Sequence, residues 1–493
     1  EAVVSCHRNP DSSVRLVALL CLMILSAAAC GQKPGVADQP VPLSAQQGQA
    51  ELGGSTSGSE TTTGGGGDFA TGGDASTGGG GGFSSGGSTG GSSGSGGASD
   101  KGGGGGSGGV GSDPAAPSGG NATGVTTNTI KIGIHAPITG AAPVPSDSAK
   151  KGSDVYWKWL ESNKQSVFGR RVEVILKNDN YNPSQAVAVC REMVEEDKVF
   201  SLSGAAGTDQ IQACARYAAS AGVPYTSPGV TETGLDNLPT YFATSLTYAG
   251  QGPILADMIM KKFGGSSKQA ALVYFNTANF YDGRDAFVAA MRERGAEVYQ
   301  KAVSKTAGAS EAQAVVTDLR QRGIDIVFPL TSPVFFLQLL QASRSQNYEP
   351  QWTGIGITMT FDAITAVGCR NGTIDGAQFF APFPAWADTD KFDPDFRKAV
   401  QRIYPEEGEG DDFMWLGWTG STAFHSMLKL IGSNLTRERF IYFVERAGKL
   451  SNGISPPASF SPDDHLGGTA VHVSEARCSD ARWHTIATNV RGF

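Results

Sequence analysis

The sequence predicts an α/β protein of two doubly wound parallel-sheet lobes, preceded by a disordered Gly/Ser-rich linker. Three observations predict it. Strand-like and helix-like segments alternate from Thr129 onward. The alternation comes in two successive sets. Setting aside the amino-terminal low-complexity region leaves about 365 residues, too many for one ordinary core and enough for two. Alternation of this kind means parallel sheets covered by helices on both faces.

In the first set, Thr129–Ile134 alternates and then reaches Pro137 and Gly140, a strand followed by a loop. Ser146–Ser162 carries Val155, Trp157, Trp159 and Leu160 and reads as a helix. Arg171–Leu176 is a second strand. Asn182-Pro183 then opens a helix, because proline is tolerated in the first turn. Its apolar positions run from Ala186 and Val187 through Cys190 to Met193 and Val194, at helical spacing. Val199–Leu202 is a third strand. Gly204–Gly207 turns the chain, and Thr208 can cap a helix to Ala221. Pro224–Thr226 is a short fourth strand.

The second set repeats the rhythm. Helix Gly250–Phe263 precedes strand Ala270–Phe275, and helix Asp282–Arg294 precedes strand Glu297–Val303. Helix Glu311–Arg322 precedes strand Ile324–Leu330, and helix Pro333–Gln346 precedes a strand at Gln351–Gly354. Beyond Gly376–Pro382 the chain is mainly helical, at Pro394–Tyr404, Phe413–Ile431 and Thr436–Ala447. Short strands around Thr469–Val473 and Trp483–Ala487 end it.

In open parallel sheets, ligands sit beyond the carboxyl ends of strands. That selects four loops: Pro137–Ser148, Gly204–Thr208, Ser227–Thr233 and Asn276–Asp282. Gly204 and Gly207 let backbone approach a ligand. Thr208, with the helix start behind it, offers a hydroxyl and free amides to a carboxylate. Ordinary helix capping is the alternative role for such threonines, and the two are compatible.

The amino-terminal part addresses location. Arg15 precedes an apolar run, Leu16–Ala29, that is short for a membrane span and suits a signal-peptide core. Small residues ending at Cys30 resemble the lipobox of bacterial lipoproteins, although Ala27 stands where leucine is commonest. The resemblance implies cleavage before Cys30 and lipid on that residue. An ordinary cleaved signal with a chance cysteine is the alternative. Residues Glu1–Ser13 are polar and unlike a signal, so translation is expected to start near Val14. Residues 31–127 hold most of the 67 glycines and almost no apolar periodicity, and are expected to stay disordered. Such a tether reaches roughly 50–60 Å. Gly82-Phe83-Ser84-Ser85-Gly86 matches a serine-hydrolase pattern, but no strand and helix flank it.

A net charge of −8 and a pI near 5.4 argue against a nucleic-acid partner. Cys6 and Cys21 lie in or before the signal and Cys30 is the proposed lipid site. Cys190, Cys214, Cys369 and Cys478 remain. An even number in an exported chain suggests two disulfides; four buried thiols are the alternative. No histidine forms a triad or metal spacing with a carboxylate, so no cofactor, metal or catalytic group is expected.

From about Thr129 the chain resembles the type I solute-binding proteins of the branched-chain amino-acid ABC transporter family. The carrying segments are Ile130–Gly140, Asn178–Ala186, Gly222–Pro228, Tyr281-Asp282-Gly283 and Phe460–Gly468. Their order and spacing span the whole folded region. The resemblance implies a type I periplasmic binding fold, with a cleft between lobes that close on ligand like a hinge. It implies three crossovers, near Ser245–Gly250, Gly376–Pro384 and Gly453–Pro457. Residues 128–247 with 381–454 then form lobe 1, and 248–380 with 455–493 form lobe 2, after a signal at 1–30 and a linker at 31–127.

Family site positions fall on named residues. Those that hold a ligand carboxylate fall on Thr208, Gly229 and Thr231. A second-lobe aromatic falls on Tyr281, or on Phe280 if the loop shifts. Another aromatic falls on Ser332, so that contact is lost or altered. The acidic partner of a ligand ammonium falls near Gly356, and no carboxylate follows until Asp362. A buried ammonium without a counter-charge is costly. The expected ligand is therefore a carboxylate or amide without a cationic amine, rather than a plain α-amino acid. Trp386, Trp415 and Trp418 lie in regions that border the cleft in the family and could stack on a ligand; core packing is their alternative.

Cys190 and Cys214 lie on neighbouring helices, which makes a disulfide between them geometrically reasonable, and by elimination Cys369 pairs with Cys478. The reading is an extracytoplasmic, lipid-anchored, monomeric, non-enzymatic protein. It captures a small organic ligand and delivers it to an ABC permease, at the cell membrane of a single-membrane, actinobacterial-type bacterium. A sensor of the same fold that signals to a membrane receptor is the serious alternative. A surface enzyme or adhesive lipoprotein explains less.

Overall fold

The computed structural model describes residues 113–140, 142–145, 147–228, 234–371 and 373–493. Cys30, the signal and residues 31–112 of the linker lie outside these described residues. Among the described residues no helix is long and apolar enough to cross a membrane.

The first lobe contains β1 (Thr129–Ala136), α1 (Ser148–Ser162), β2 (Arg171–Asn178), α2 (Pro183–Glu195), β3 (Ser201–Gly204), α3 (Thr208–Ser220), β4 (Tyr225–Ser227) and β5 (Tyr241–Ala243). Its five strands are all parallel, in the order β2-β1-β3-β4-β5. That order reverses direction at β1, the arrangement that leaves a crevice beyond the strands' carboxyl ends. β5 went unpredicted, because three residues are too few for a period. Local chemistry starts α2 as expected: the Asn182 side chain accepts from the Ser184 and Gln185 amides, and Pro183 occupies the first turn.

The second lobe contains α4 (Tyr248–Lys262), β6 (Ala270–Phe275), α5 (Tyr281–Glu293), β7 (Val298–Val303), α6 (Ala309–Gln321), β8 (Ile326–Leu330), α7 (Pro333–Ser345), β9 (Gln351–Gly354), α8 (Asp362–Gly368) and β10 (Gln378–Ala381). The chain then forms α9 (Thr389–Phe392), α10 (Asp395–Ile403), α11 (Asp412–Ile431), α12 (Arg437–Glu445) and the small pair β11 (Lys449–Leu450) and β12 (Ala458–Ser459). It ends with β13 (Val471–Arg477) and β14 (Arg482–Val490). The second sheet has the order β14-β13-β10-β9-β8-β6-β7, with β13 and β14 antiparallel.

Two layers of core flank the first sheet. Ile132, Trp157, Trp415, Trp418 and Phe440 fill one side, under α1 and α11. Met193, Leu202, Ile211 and Tyr225 fill the other, under α2 and α3. The α1–α11 crossing is tight for a visible reason. A Cβ on Gly152 would lie 2.0 Å from the Met414 carbonyl oxygen, and one on Gly417 would lie 2.4 Å from that of Ala149. Only glycine allows that approach.

Both disulfides are present. Cys190–Cys214 ties α2 to α3 with Cα atoms 6.0 Å apart, and Cys369–Cys478 ties the end of α8 to the turn before β14, 5.0 Å apart. Two boundaries differ from expectation. Asp113–Thr127, assigned by composition to the linker, packs on the first lobe. The Glu438 carboxylate accepts from the Asn121 amide at 2.7 Å, Arg439 donates to the Pro117 carbonyl at 2.9 Å, and Tyr442 donates to Asp113 at 2.9 Å. These are polar anchors, invisible to an apolar count. The third crossover also comes later than Gly453–Pro457. Ile454, Ala458 and Phe460 still belong to the first lobe's core, and Leu466 pairs with Ala243, whereas Val471 is in the second lobe's core.

Candidate functional site

Gly207 adopts φ of 87°, a left-handed conformation that suits glycine, and so turns the end of β3 into α3. It brings no capping side chain. The first amides of α3 therefore lack intrahelical partners and carry the positive end of the helix dipole. Thr208 is the first helical residue, half-buried. Asp209 and Gln210 complete the turn. Gln210 is wholly buried, and among the described residues neither its Oε1 nor its Nε2 has a partner. Its Oε1 lies 2.3 Å from where a Gly207 Cβ would stand, so it folds over the turn itself.

The second lobe meets this turn directly. Asn279, buried in the loop after β6, donates its Nδ2 proton to the Thr208 hydroxyl. Lys305, in the loop after β7, pairs with Asp209 and lies 4.9 Å from the Tyr181 ring centroid. Burial, helped by the Asp209 and Asp179 charges, pushes the Tyr181 phenol up to about 12. Four strand-end loops from two lobes thus converge at one turn.

The other expected site residues are placed as follows. Gly229 and Thr231 lie outside the described residues. Tyr281 starts α5, donates to Asn276 Oδ1 at 2.8 Å and carries Arg284 over its ring at 4.1 Å. Its neighbour Phe280 is core, packed against Tyr248 and Phe275. Ser332 caps α7, accepting from the Phe335 amide at 3.2 Å. Gly356 follows β9 with φ of 119°, and a Cβ there would meet only Met359, at 3.6 Å. No carboxylate occupies that space among the described residues. Asp362 is engaged elsewhere, by Arg482 at 2.8 Å and the Trp483 amide at 3.2 Å.

The tryptophans take the alternative role. Trp415 and Trp418 are core, donating to the Pro384 carbonyl at 2.9 Å and to Asp393 at 2.8 Å. Trp386 is buried and already covered by Arg397 and Arg482, at 4.3 and 4.4 Å from its ring. None is open for stacking. Asn279, Lys305, Tyr181 and Gln210 were missed. Only Asn279 lay within a loop that strand order had selected.

A buried relay lies under the turn. His135 Nδ1 is 2.8 Å from Asp179 Oδ2, and its Nε2 is 2.7 Å from the Tyr225 hydroxyl. Burial drives the Tyr225 phenol well above its ordinary value, which keeps it protonated. The nearby Cys190 and Cys214 sulfurs are spent in their disulfide and offer no thiolate to a metal. A concavity of about 660 Å³ lies at the opposite strand ends, where β8 and β9 begin, near Lys268 and Asp325. It is remote from the turn and is not the cleft.

Comparison with known proteins follows this geometry. The family described as periplasmic binding protein matches residues 129–481. The chain is 27% identical over 205 residues to a Leu/Ile/Val-binding protein homolog of Brucella melitensis, covering 40% of this chain and 53% of the relative. It thus spans about half the length of the curated relatives it matches. Among solved structures, a fatty acid ABC transporter substrate-binding protein from Thermomonospora curvata superposes with a TM-score of 0.64 at 18% identity, covering 76% of this chain and 95% of that one. A solute-binding protein from R. palustris in complex with benzoate gives 0.60 at 17%, covering 73% and 96%. The shared fold is the type I periplasmic binding fold.

Proposed function

The chain belongs to the periplasmic binding protein family, and from that premise we propose that it is an extracytoplasmic solute-binding protein for a small organic acid or amide. The ligand is held between the lobes and released to an ABC permease. One observation carries this reading. The uncapped start of α3, with the Thr208 hydroxyl, stands where Asn279 of the second lobe arrives. Free amides, a hydroxyl and a helix dipole together favour a carboxylate. Lys305 adds a cation from the other lobe. The space at Gly356 supplies no counter-charge for an ammonium, which argues against a plain α-amino acid.

Closure needs a ligand that interacts better with the closed arrangement than with the open one. A carboxylate bridging Thr208 and the Asn279 loop meets that condition. Retention near a permease is supplied by lipid at Cys30, a reading supported by the apolar run before it and the glycine-rich segment after it. The protein works as a monomer in this scheme and catalyses nothing.

Thermal melts in the presence of carboxylates, amides and amino acids test the reading. A ligand at a hundredfold its dissociation constant stabilises by about 2.7 kcal/mol. Carboxylates or amides are expected to raise Tm, and Thr208→Ala to weaken them. A strong shift with leucine, and none with any non-amine acid, would overturn the assignment.

A further inference from the structure

The covered face of the first sheet carries hydroxyls where a doubly covered parallel sheet ordinarily carries aliphatic side chains. Along β3, Leu202 points to α2 and α3, whereas Ser201 and Ser203 point to α1 and α11. Ser201 is in register with Ile132 and Ser203 with Ile134, and Thr226 of β4 is paired with Ser203. These small side chains leave a seam of about 50 Å³ between the sheet and α11. Ile134 and Phe424 give it apolar walls.

The helix side is also cut back, and not only for the crossing. Gly152 and Gly417 are required by backbone approach. Gly420 is not: a Cβ there would meet only Pro228, at 3.3 and 3.6 Å. Gly420 keeps the seam open rather than the helices close. The residues that retain partial exposure, Ser203, Ala205, Thr226, Pro228, Gly417 and Gly420, mark its mouth. Ala205 lies three positions before Thr208, and Pro228 directly follows β4. The mouth therefore opens at the same strand ends as the cleft turn.

We propose that this seam is a specificity subsite that takes the far end of the ligand: a short substituent bearing a hydroxyl or amide, hydrogen-bonded to Ser203 and Thr226. The proposal rests on the cleft reading above, with the carboxylate at Thr208. The volume holds about two heavy atoms, since a water's share of liquid volume is roughly 30 Å³. Apolar walls with two convergent hydroxyls suit a substituent that is apolar along its sides and polar at its tip.

Calorimetric titration of the full chain with two pairs of acids tests it: butyrate against 4-hydroxybutyrate, and benzoate against 3-hydroxybenzoate. In at least one pair the hydroxylated acid is expected to bind about tenfold tighter, the worth of one well-made hydrogen bond. Ser203→Ala should remove that preference and leave the plain acid unchanged. Gly420→Val should do the same by filling the seam. Gly420→Ala, with a milder clash, controls for folding and should retain part of the preference. Equal affinity within both pairs, or variants that weaken both members alike, would overturn the seam alone. Failure of all four acids to bind would instead overturn the cleft reading, and the seam with it.

Discussion

Replacing Lys305 by alanine removes two contacts across the lobes at once. One is the ion pair with Asp209, whose partners are 25% and 26% exposed. Partly screened pairs of this kind contribute about 0.2–1 kcal/mol. The other is the cation over the Tyr181 ring at 4.9 Å, worth about 0.5–1 kcal/mol. Asp209 loses its partner but stays in the first turn of α3, where the helix dipole favours an anion, so no large penalty offsets the sum. The closed arrangement should therefore lose about 1–2 kcal/mol, a factor of roughly 5–30 in its population relative to open. Donor and acceptor dyes on cysteines placed at Ser220 and Glu293, one exposed site per lobe, would read this as a longer mean distance without ligand. Ligand affinity should fall by a similar factor, because the binding-competent fraction has fallen. Asp209→Asn, which spares the contact with Tyr181, should have the smaller effect of the ion pair alone, and the double variant should add little to Lys305→Ala. An unchanged distance distribution, or strictly additive effects, would refute the argument that this pair latches the lobes.

Other outcomes follow from the same coordinates. Loop-closure entropy makes Cys369–Cys478, at a separation of 109 residues, worth about 4.8 kcal/mol, and Cys190–Cys214, at 24, about 3.4 kcal/mol. Serine replacement of each pair, followed by urea unfolding, should show that order. Asp412 is half-buried, and desolvation, with the charges of Asp362 and Asp411 beside it, holds its carboxyl well above the usual range. A raised acid costs stability progressively as pH rises above the unfolded value near 3.9. Asp412→Asn keeps the acceptor for the Asp362 amide and should raise Tm by several degrees at pH 7.5, with the gain vanishing near pH 4. Burial lowers His425 and His472 to about 4. The unfolded chain then binds more protons between pH 6.5 and 4, so stability should fall as pH falls through that window, by at most about 3 kcal/mol for each group. Asp412 opposes this trend, and its asparagine variant should show the steeper acid loss; an identical slope would count against the Asp412 assignment, and no acid loss in either protein against the histidines.

The strand–helix alternation was legible because each buried strand is an apolar run bounded by turn residues, as in Ala270–Phe275. β5 and the β11–β12 pair were not, because two or three residues carry no period. Trp415 and Trp418 were ambiguous in sequence, since stacking platforms and core residues share a helical spacing; only their indole partners separate the two. At the site, Thr208 stood out because a threonine directly after a glycine turn, at the start of a helix, has a local signature. Asn279 and Lys305 did not. Their role depends on which loops meet across 71 and 96 positions of chain, which no local pattern encodes. The seam was hidden for a related reason: Ser203 and Gly420 are unremarkable apart, and become informative only face to face.

The strap from Asp113 to Asn128 has a mechanical consequence. Its side-chain anchors Glu438, Arg439 and Tyr442 lie on α12 of the first lobe, and Arg170 of the same lobe donates to the Thr126 carbonyl. Whatever restrains the amino-terminal side of the chain is therefore clamped to one half of the hinge. Where that side is moored as proposed above, the first lobe becomes the held jaw and the second the moving jaw. A docking partner on the mooring side would then register occupancy as a change in the far jaw's position, at no cost in stretching the mooring itself.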